Sequence, residues 1–178
     1  MRTIVRERNG LGPEDRAATL AAYIVCEVES MFPARHTGRS LLQKLFYILS
    51  REGHVDASFD LFMNGPYSDW VESALSRAVE SGMLTAVKEN GRSSISARGG
   101  IPGEVPLEFQ EKASQCVRTY GFYDEGDLAI LTTALFLENY NCMGPAELVK
   151  AVMAVNPHFD TRQVCSLLDR SDVVFRSW

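Results

Sequence analysis

The side chains best suited to chemistry are the carboxylates of the segment YDEGD, at Asp124, Glu125 and Asp127. Three carboxylates this close together could hold a metal ion. However, the long apolar segment DLAILTTALFLENY follows them, and an aspartate at the start of a helix accepts hydrogen bonds from free N–H groups and suits the positive end of the helix dipole. We therefore expect Asp124 or Asp127 to cap a helix and expect no metal here.

The cysteines and histidines form no catalytic or metal-binding motif. The four cysteines contain no CxxC pair, so we expect buried, reduced thiols. The three histidines lie too far apart for metal-ligand spacing, at expected turns and helix ends. These residues are Cys26, Cys116, Cys142, Cys165, His36, His54 and His158. GxSxG, HExxH, P-loop and GxGxxG motifs are also missing, so we expect no enzyme and no cofactor.

Length and composition indicate one packed, cytoplasmic domain. The chain has 178 residues, of which 46% are hydrophobic and 23% charged, enough for a core. Its net charge of −5 argues against a surface that attracts nucleic acid everywhere, although a local basic patch is compatible with it. No apolar run approaches the ~20 residues that span a bilayer, and the segment MRTIVRERNG is unlike a secretory signal.

Apolar periodicity predicts a mainly α-helical chain with a small antiparallel β-sheet. We expect a flexible arm over residues 1–12, a winged-helix-like half over 13–100 and a helical half over 101–178, the two halves packed as one compact unit. In the first half, helices are predicted from Pro13, over 39–52, and from Ser68 to Gly82. After the linker 97–106, helices are predicted at 107–120, at 127–140, from Pro145, and after a capping box formed by Asp160 and Gln163.

The segment FDLFMNGPYSDW, residues 59–70, contains an abrupt change of pattern. Its first five residues alternate as a half-buried strand does, with one face formed by Phe59, Leu61 and Met63. Gly65 tolerates a positive φ and Pro66 fixes its own φ, which predicts a sharp corner. Ser68 is then expected to cap the following helix with its side chain.

A wing is predicted directly after that helix. In MLTAVKENGRSSIS, two strand-like runs flank Asn90-Gly91, a strong hairpin signal. Helix, glycine and hairpin together indicate a winged helix-turn-helix, in which residues 59–63 would form a third strand beside the wing.

The motifs LLQKLFYIL and GPYSDWVESAL, followed by Gly-Met-Leu, resemble those of the Panacea-type and YwgA-like proteins, which include the SocA-like antitoxins. DLAILTTALFL and VMAVNPHFDTRQVCSLL are similar to the helical half of the YwgA-like group, so the resemblance spans about residues 15–172. It implies a mostly helical fold with a small sheet, no known catalytic centre and, for some members, recognition of a partner protein. The extended helical second half departs from the simple antitoxin pattern.

Two kinds of partner are conceivable for the first half. A protein partner is favoured by the aromatic corner and the acidic helix after it, with contact candidates Tyr67, Trp70, Glu72 and Arg77. Three acids against one arginine on that helix would repel a phosphate backbone. Nucleic-acid contacts would instead use the wing and nearby basic residues, namely Lys88, Arg92, Arg98, Arg39 and Lys44.

We therefore expect a non-enzymatic, antitoxin- or adaptor-like regulatory protein that binds a protein partner. The alternative is a transcription regulator that binds DNA through the basic wing as a two-fold dimer, and an uncharacterised enzyme comes third.

Overall fold

The computed structural model describes residues 12–89, 92–99, 105–140 and 143–171, without the side chains at 89, 92, 139 and 140. The predictions for the arm at 1–11, the Asn90-Gly91 turn, Cys142 and part of the linker at 97–106 lie outside the described residues. Within them the protein is mainly α-helical with a small amount of antiparallel β-structure, as the sequence predicts, although the strands form two separate sheets. No helix in these ranges is both long enough and apolar enough to cross a membrane.

The described elements are seven helices and four strands. The helices are α1 (Pro13–Met31), α2 (Arg39–Arg51), α3 (Asp69–Glu80), α4 (Leu107–Tyr120), α5 (Glu125–Tyr140), α6 (Pro145–Val155) and α7 (Thr161–Arg170). The strands are β1 (Asp60–Phe62), β2 (Gly65–Tyr67), β3 (Leu84–Glu89) and β4 (Arg92–Ala97).

Local signals account for most helix ends. Pro13 begins α1, whose first turn holds two acids, and the helix ends at Met31, before Pro33. Gly53 and Gly82 follow α2 and α3 with φ of 79° and 77°, the left-handed conformation that commonly ends helices. The predicted positions of these helices are confirmed.

Two aspartates cap helices in the second half. The carboxylate Oδ1 of Asp124 accepts a hydrogen bond from the Asp127 N–H at 2.7 Å, at the start of α5. Oδ1 of Asp160 accepts one from the Gln163 N–H at 2.7 Å, at the start of α7. The predicted caps by Asp124 and Asp160 are confirmed, and the first explains why a carboxylate precedes the apolar helix. The capping box predicted for α7 is confirmed only in its Asp160 half.

The strand predictions are only partly correct. The wing forms, with β3 antiparallel to β4 and Glu89 paired with Arg92. However, residues 60–62 pair with Gly65–Tyr67 in a separate hairpin, not with the wing. The third-strand prediction is therefore wrong, because the chain reverses at Met63-Asn64 and β1 finds its partner immediately.

Two further details of this corner differ from expectation. Met63, predicted to face inward, lies in the turn of the hairpin and is exposed. The side chain of Ser68 makes no capping hydrogen bond to α3, although Ser68 is the N-cap residue by position.

Gly65 serves the packing of this hairpin on α5. Its φ is +100°, and an added Cβ would lie 3.1 Å from Thr132 Oγ1 and 3.5 Å from Thr133 Oγ1. A side chain at this position would therefore meet both backbone strain and a neighbouring helix. The glycine of GPY allows β2 to lie directly against α5.

An apolar cluster joins residues from both predicted halves. It includes Phe46 and Leu75 from the first half, and Val117 and Leu128 from the second. Helix α4 packs on α1 and α2, and α5 packs on α2 and β2. A second cluster lies mainly among α5, α6 and α7. The hairpin β1–β2 is thus held between α2 and α5.

Candidate functional site

The candidate site is a groove between the start of α2, the hairpin β1–β2 and the start of α3. Its cavity volume is about 480 Å³. Four α2 residues line it, and they fall on one face because positions four apart on a helix are neighbours. The lining residues are Arg39, Ser40, Gln43, Lys44, Phe62, Met63, Asn64, Gly65, Pro66, Tyr67 and Glu72.

Gln43 fixes the hairpin to α2. Its amide Nε2 donates to the Ser68 carbonyl at 3.1 Å, and its Oε1 accepts from the Ser68 N–H at 2.9 Å. Both residues are buried, so this paired contact satisfies polar groups that water cannot reach. The segments LLQKL and GPYS, far apart in sequence, therefore meet at the groove.

Lys44 is the most unusual residue of the groove because its charge is buried. The residue is only 2% exposed. Its Nζ donates to Ser40 Oγ at 2.8 Å and to the Ser40 carbonyl at 3.2 Å. Burial lowers the pKa of Lys44 to about 8, although the charge of Glu125 on α5 acts in the opposite direction. Lys44 is thus still mostly a cation at neutral pH.

The outer wall of the groove is apolar and exposed. At the hairpin turn, Phe62 is 56% exposed and Met63 is 72% exposed. The ring of Phe62 meets Tyr67 edge to face, with centroids 5.4 Å apart. We call Phe62 and Met63 the hairpin tip. Two large apolar side chains side by side at a turn form a small contact surface.

The rim of the groove carries one ion pair. The guanidinium of Arg39 donates to the carboxylate of Glu72, so α2 and α3 are linked across the opening. Burial, with smaller effects from Glu72 and Asp69, raises the pKa of Tyr67, so its phenol is neutral at physiological pH. The rim therefore offers hydrogen-bonding groups without excess charge.

A second cavity, of about 690 Å³, lies beside the groove and shares Arg39 and Ser40 with it. The guanidinium of Arg35 donates there to the carbonyls of Gly121 and Tyr123. A β-carbon on Gly38 would lie 3.0 Å from Glu125 Oε1, so this carboxylate sits against the N-terminus of α2. The anion that suits this helix end is supplied by the protein itself.

The four residues predicted to bind a protein partner divide between two surfaces. Tyr67 and Glu72 line the groove. Trp70 and Arg77 line another cavity, of about 550 Å³, between α1 and α3, where Arg77 Nε lies 3.1 Å from Asp15 Oδ1. Helix α3 separates the two pairs, so the structure does not bring all four together.

The residues predicted to bind nucleic acid do not form one patch. Lys44 is buried, so it does not lie at a surface that a phosphate backbone could reach, and Arg39 is paired with Glu72. Lys88 and Arg98 are exposed at opposite ends of the wing, since Arg98 lies five residues beyond Ser93, the partner of Lys88, which is about 17 Å along the strand. The side chain of Arg92 lies outside the description.

The site candidates predicted from the sequence include four of the eleven lining residues and omit seven: Ser40, Gln43, Phe62, Met63, Asn64, Gly65 and Pro66. The sequence does contain a signal for the burial of Lys44, which the sequence analysis instead predicts to lie at a surface. It lies three residues after Leu41 and one before Leu45, within the apolar stripe of α2. A lysine at such a position is expected to be at least partly buried.

Among the residues the structure describes, no three histidine, cysteine, aspartate or glutamate side chains converge as a metal site would require. No protein-family model matches the chain, and neither does any curated protein. The resemblance to the YwgA-like and Panacea-type proteins therefore stays a prediction.

Proposed function

We propose that the chain is a non-enzymatic interaction protein that binds a segment of a protein partner across the hairpin tip and the groove. The observation that carries this proposal is the exposure of Phe62 and Met63 beside an open cavity. Fully burying one such side chain is worth about 1.5–3 kcal/mol. Aromatic residues and methionine are also enriched in protein interfaces.

The polar groups of the groove add specificity to that apolar contact. Arg39 and Glu72 at the rim can exchange their mutual ion pair for hydrogen bonds with a partner backbone or side chain. The hairpin is fixed from behind by the two Gln43–Ser68 hydrogen bonds and by the close approach of Gly65 to α5. A preorganised tip loses little entropy on binding, which favours affinity.

The biological role we propose is regulatory, as an antitoxin- or adaptor-like protein in the cytoplasm. The resemblance to the SocA-like antitoxins supports the role. Free, partly or fully buried thiols at Cys26, Cys116 and Cys165 fit a reducing compartment.

The test compares capture by the intact protein with capture by two variants. The first, F62S/M63S, removes both apolar side chains of the hairpin tip. The control, L107S, removes a comparably exposed leucine, 69% accessible, at the start of α4. Proteins from the native cells that bind the wild type are then purified, and the affinity of each for the wild type and for both variants is measured by calorimetry.

We expect at least one purified protein whose affinity falls about tenfold or more for F62S/M63S and is unchanged for L107S. Equal affinity for all three proteins contradicts the proposal, as does a partner lost only with L107S. Circular dichroism of each variant confirms that the fold is kept, which the exposure of all three residues makes the expected result.

A further inference from the structure

We infer that the floor of the groove is a binding site for a small organic monocarboxylate with an apolar body, its carboxylate paired with the Lys44 ammonium. This site requires no protein partner. The ligand would lie inward of the hairpin tip.

The first argument is the state of Lys44. An ammonium has three N–H donors, and Ser40 accepts two of the hydrogen bonds they can form. Among the described residues, no carboxylate oxygen lies within 4.0 Å of Nζ. A buried cation without a close anion is unfavourable, and an incoming carboxylate would supply the missing charge and a hydrogen-bond acceptor.

The second argument is the lining of the cavity. Phe62, Met63, Pro66 and Tyr67 of the hairpin line the cavity together with Lys44 and polar residues of α2. The volume of about 480 Å³ falls within the range of roughly 300–1,000 Å³ found for small-molecule pockets. An apolar wall with one recessed cation matches an amphipathic anion.

The third argument limits the charge of the ligand. Arg39 is already paired with Glu72 at the rim, so the groove has one cation without an ion-paired carboxylate, Lys44, among its described residues. The carboxylate of Glu72 would repel a second negative charge at the opening, and the charge of Glu125 on α5, which acts on Lys44, adds further negative potential. A monocarboxylate therefore fits better than a dicarboxylate or a phosphate ester.

The test titrates the intact protein with 4-phenylbutyrate and with its neutral isostere 4-phenylbutanamide, followed by two-dimensional NMR. We expect the carboxylate to bind about tenfold more tightly than the amide, because a charge-assisted hydrogen bond is worth about that factor. The K44M variant should bind both probes with the affinity of the amide. K150M, which removes an exposed lysine on α6, should bind both as the wild type does.

A second variant keeps the test valid if K44M does not fold. M63E places a carboxylate at the mouth of the cavity on an exposed residue. The neutral variant M63Q removes the same apolar side chain, so M63E should bind 4-phenylbutanamide as M63Q does but bind 4-phenylbutyrate several-fold more weakly than M63Q does.

Three results would overturn the inference. One is equal affinity of the wild type for the two probes, and another is failure of millimolar 4-phenylbutyrate to shift signals of residues 39–44 or 62–67. The third is a carboxylate preference that survives in M63E and K44M. If the probe fails while K44M abolishes binding of a captured protein, the carboxylate belongs to the partner, so the small-molecule site is refuted and the proposed function stands.

Discussion

Replacing Gly65 by alanine should destabilise the protein more than the same replacement at other positive-φ glycines. Alanine at φ of +100° costs about 1–2 kcal/mol of backbone strain. The added methyl would also lie 3.1 Å from Thr132 Oγ1, and overpacking of this kind costs about 1–3 kcal/mol. Allowing for partial relaxation, we expect a total loss of about 2–4 kcal/mol, which lowers the melting temperature by roughly 6–12 °C for a chain of this size.

The controls are G53A and G82A, which share the positive φ but have no atom within 4 Å of the added Cβ. They should lose about 1–2 kcal/mol each, from strain alone. Urea denaturation followed by circular dichroism measures all three free energies of unfolding. If G65A is no more destabilising than G53A and G82A, the contact between β2 and α5 does not constrain the hairpin. Our interpretation that Gly65 is needed for this close packing would then be wrong.

Three further predictions concern other residues. K44M should be more stable than the wild type at neutral pH. The folded pKa of Lys44 is about 8 and its ordinary value is 10.5, so between these two pH values the folded protein has released a proton that the unfolded chain still binds, and the wild type should recover up to about 3 kcal/mol of the difference as the pH rises. A stability difference that does not change with pH would refute the burial of the charge. Q43A should lose about 1–3 kcal/mol in urea denaturation, because it leaves the Ser68 N–H buried without its partner and removes one of the two hydrogen bonds to the Ser68 carbonyl, which still accepts from the Glu72 N–H. A loss below about 0.5 kcal/mol would contradict this role. D160A should lose about 1 kcal/mol by thermal melting whereas D160N should not, and equal losses would argue against capping of α7.

The helices could be read from the sequence because their signals are local. Pro13, Gly53 and Gly82 mark helix ends through φ preferences that hold in any context, and Asp160 caps through a contact three residues away. The wing could be predicted from local signals as well, since two strand-like runs flank a two-residue turn signal.

The hairpin β1–β2 could not be predicted because tertiary packing decides it. Glycine and proline are both disfavoured in strands, so GPY reads as a turn. It pairs with Asp60–Phe62 where Gly65 packs against two threonines of α5, more than sixty residues further along the chain. No local pattern contains that contact.

The groove was only partly predictable for the same reason. Tyr67 and Glu72 could be selected as polar or aromatic residues near a corner, and both line the cavity. The Gln43–Ser68 contact joins two segments twenty-five residues apart, so it requires the folded structure. The cavity volume depends on the distance between the hairpin and α2, and residue spacing in the sequence does not determine that distance.

Hydrogen–deuterium exchange of the protein, alone and bound to the captured partner, locates the interface. Binding across the hairpin tip and the groove should slow exchange in residues 39–44 and 60–67 and leave the wing at 84–97 unchanged. Protection of the wing without protection of the hairpin would contradict the proposed interaction surface.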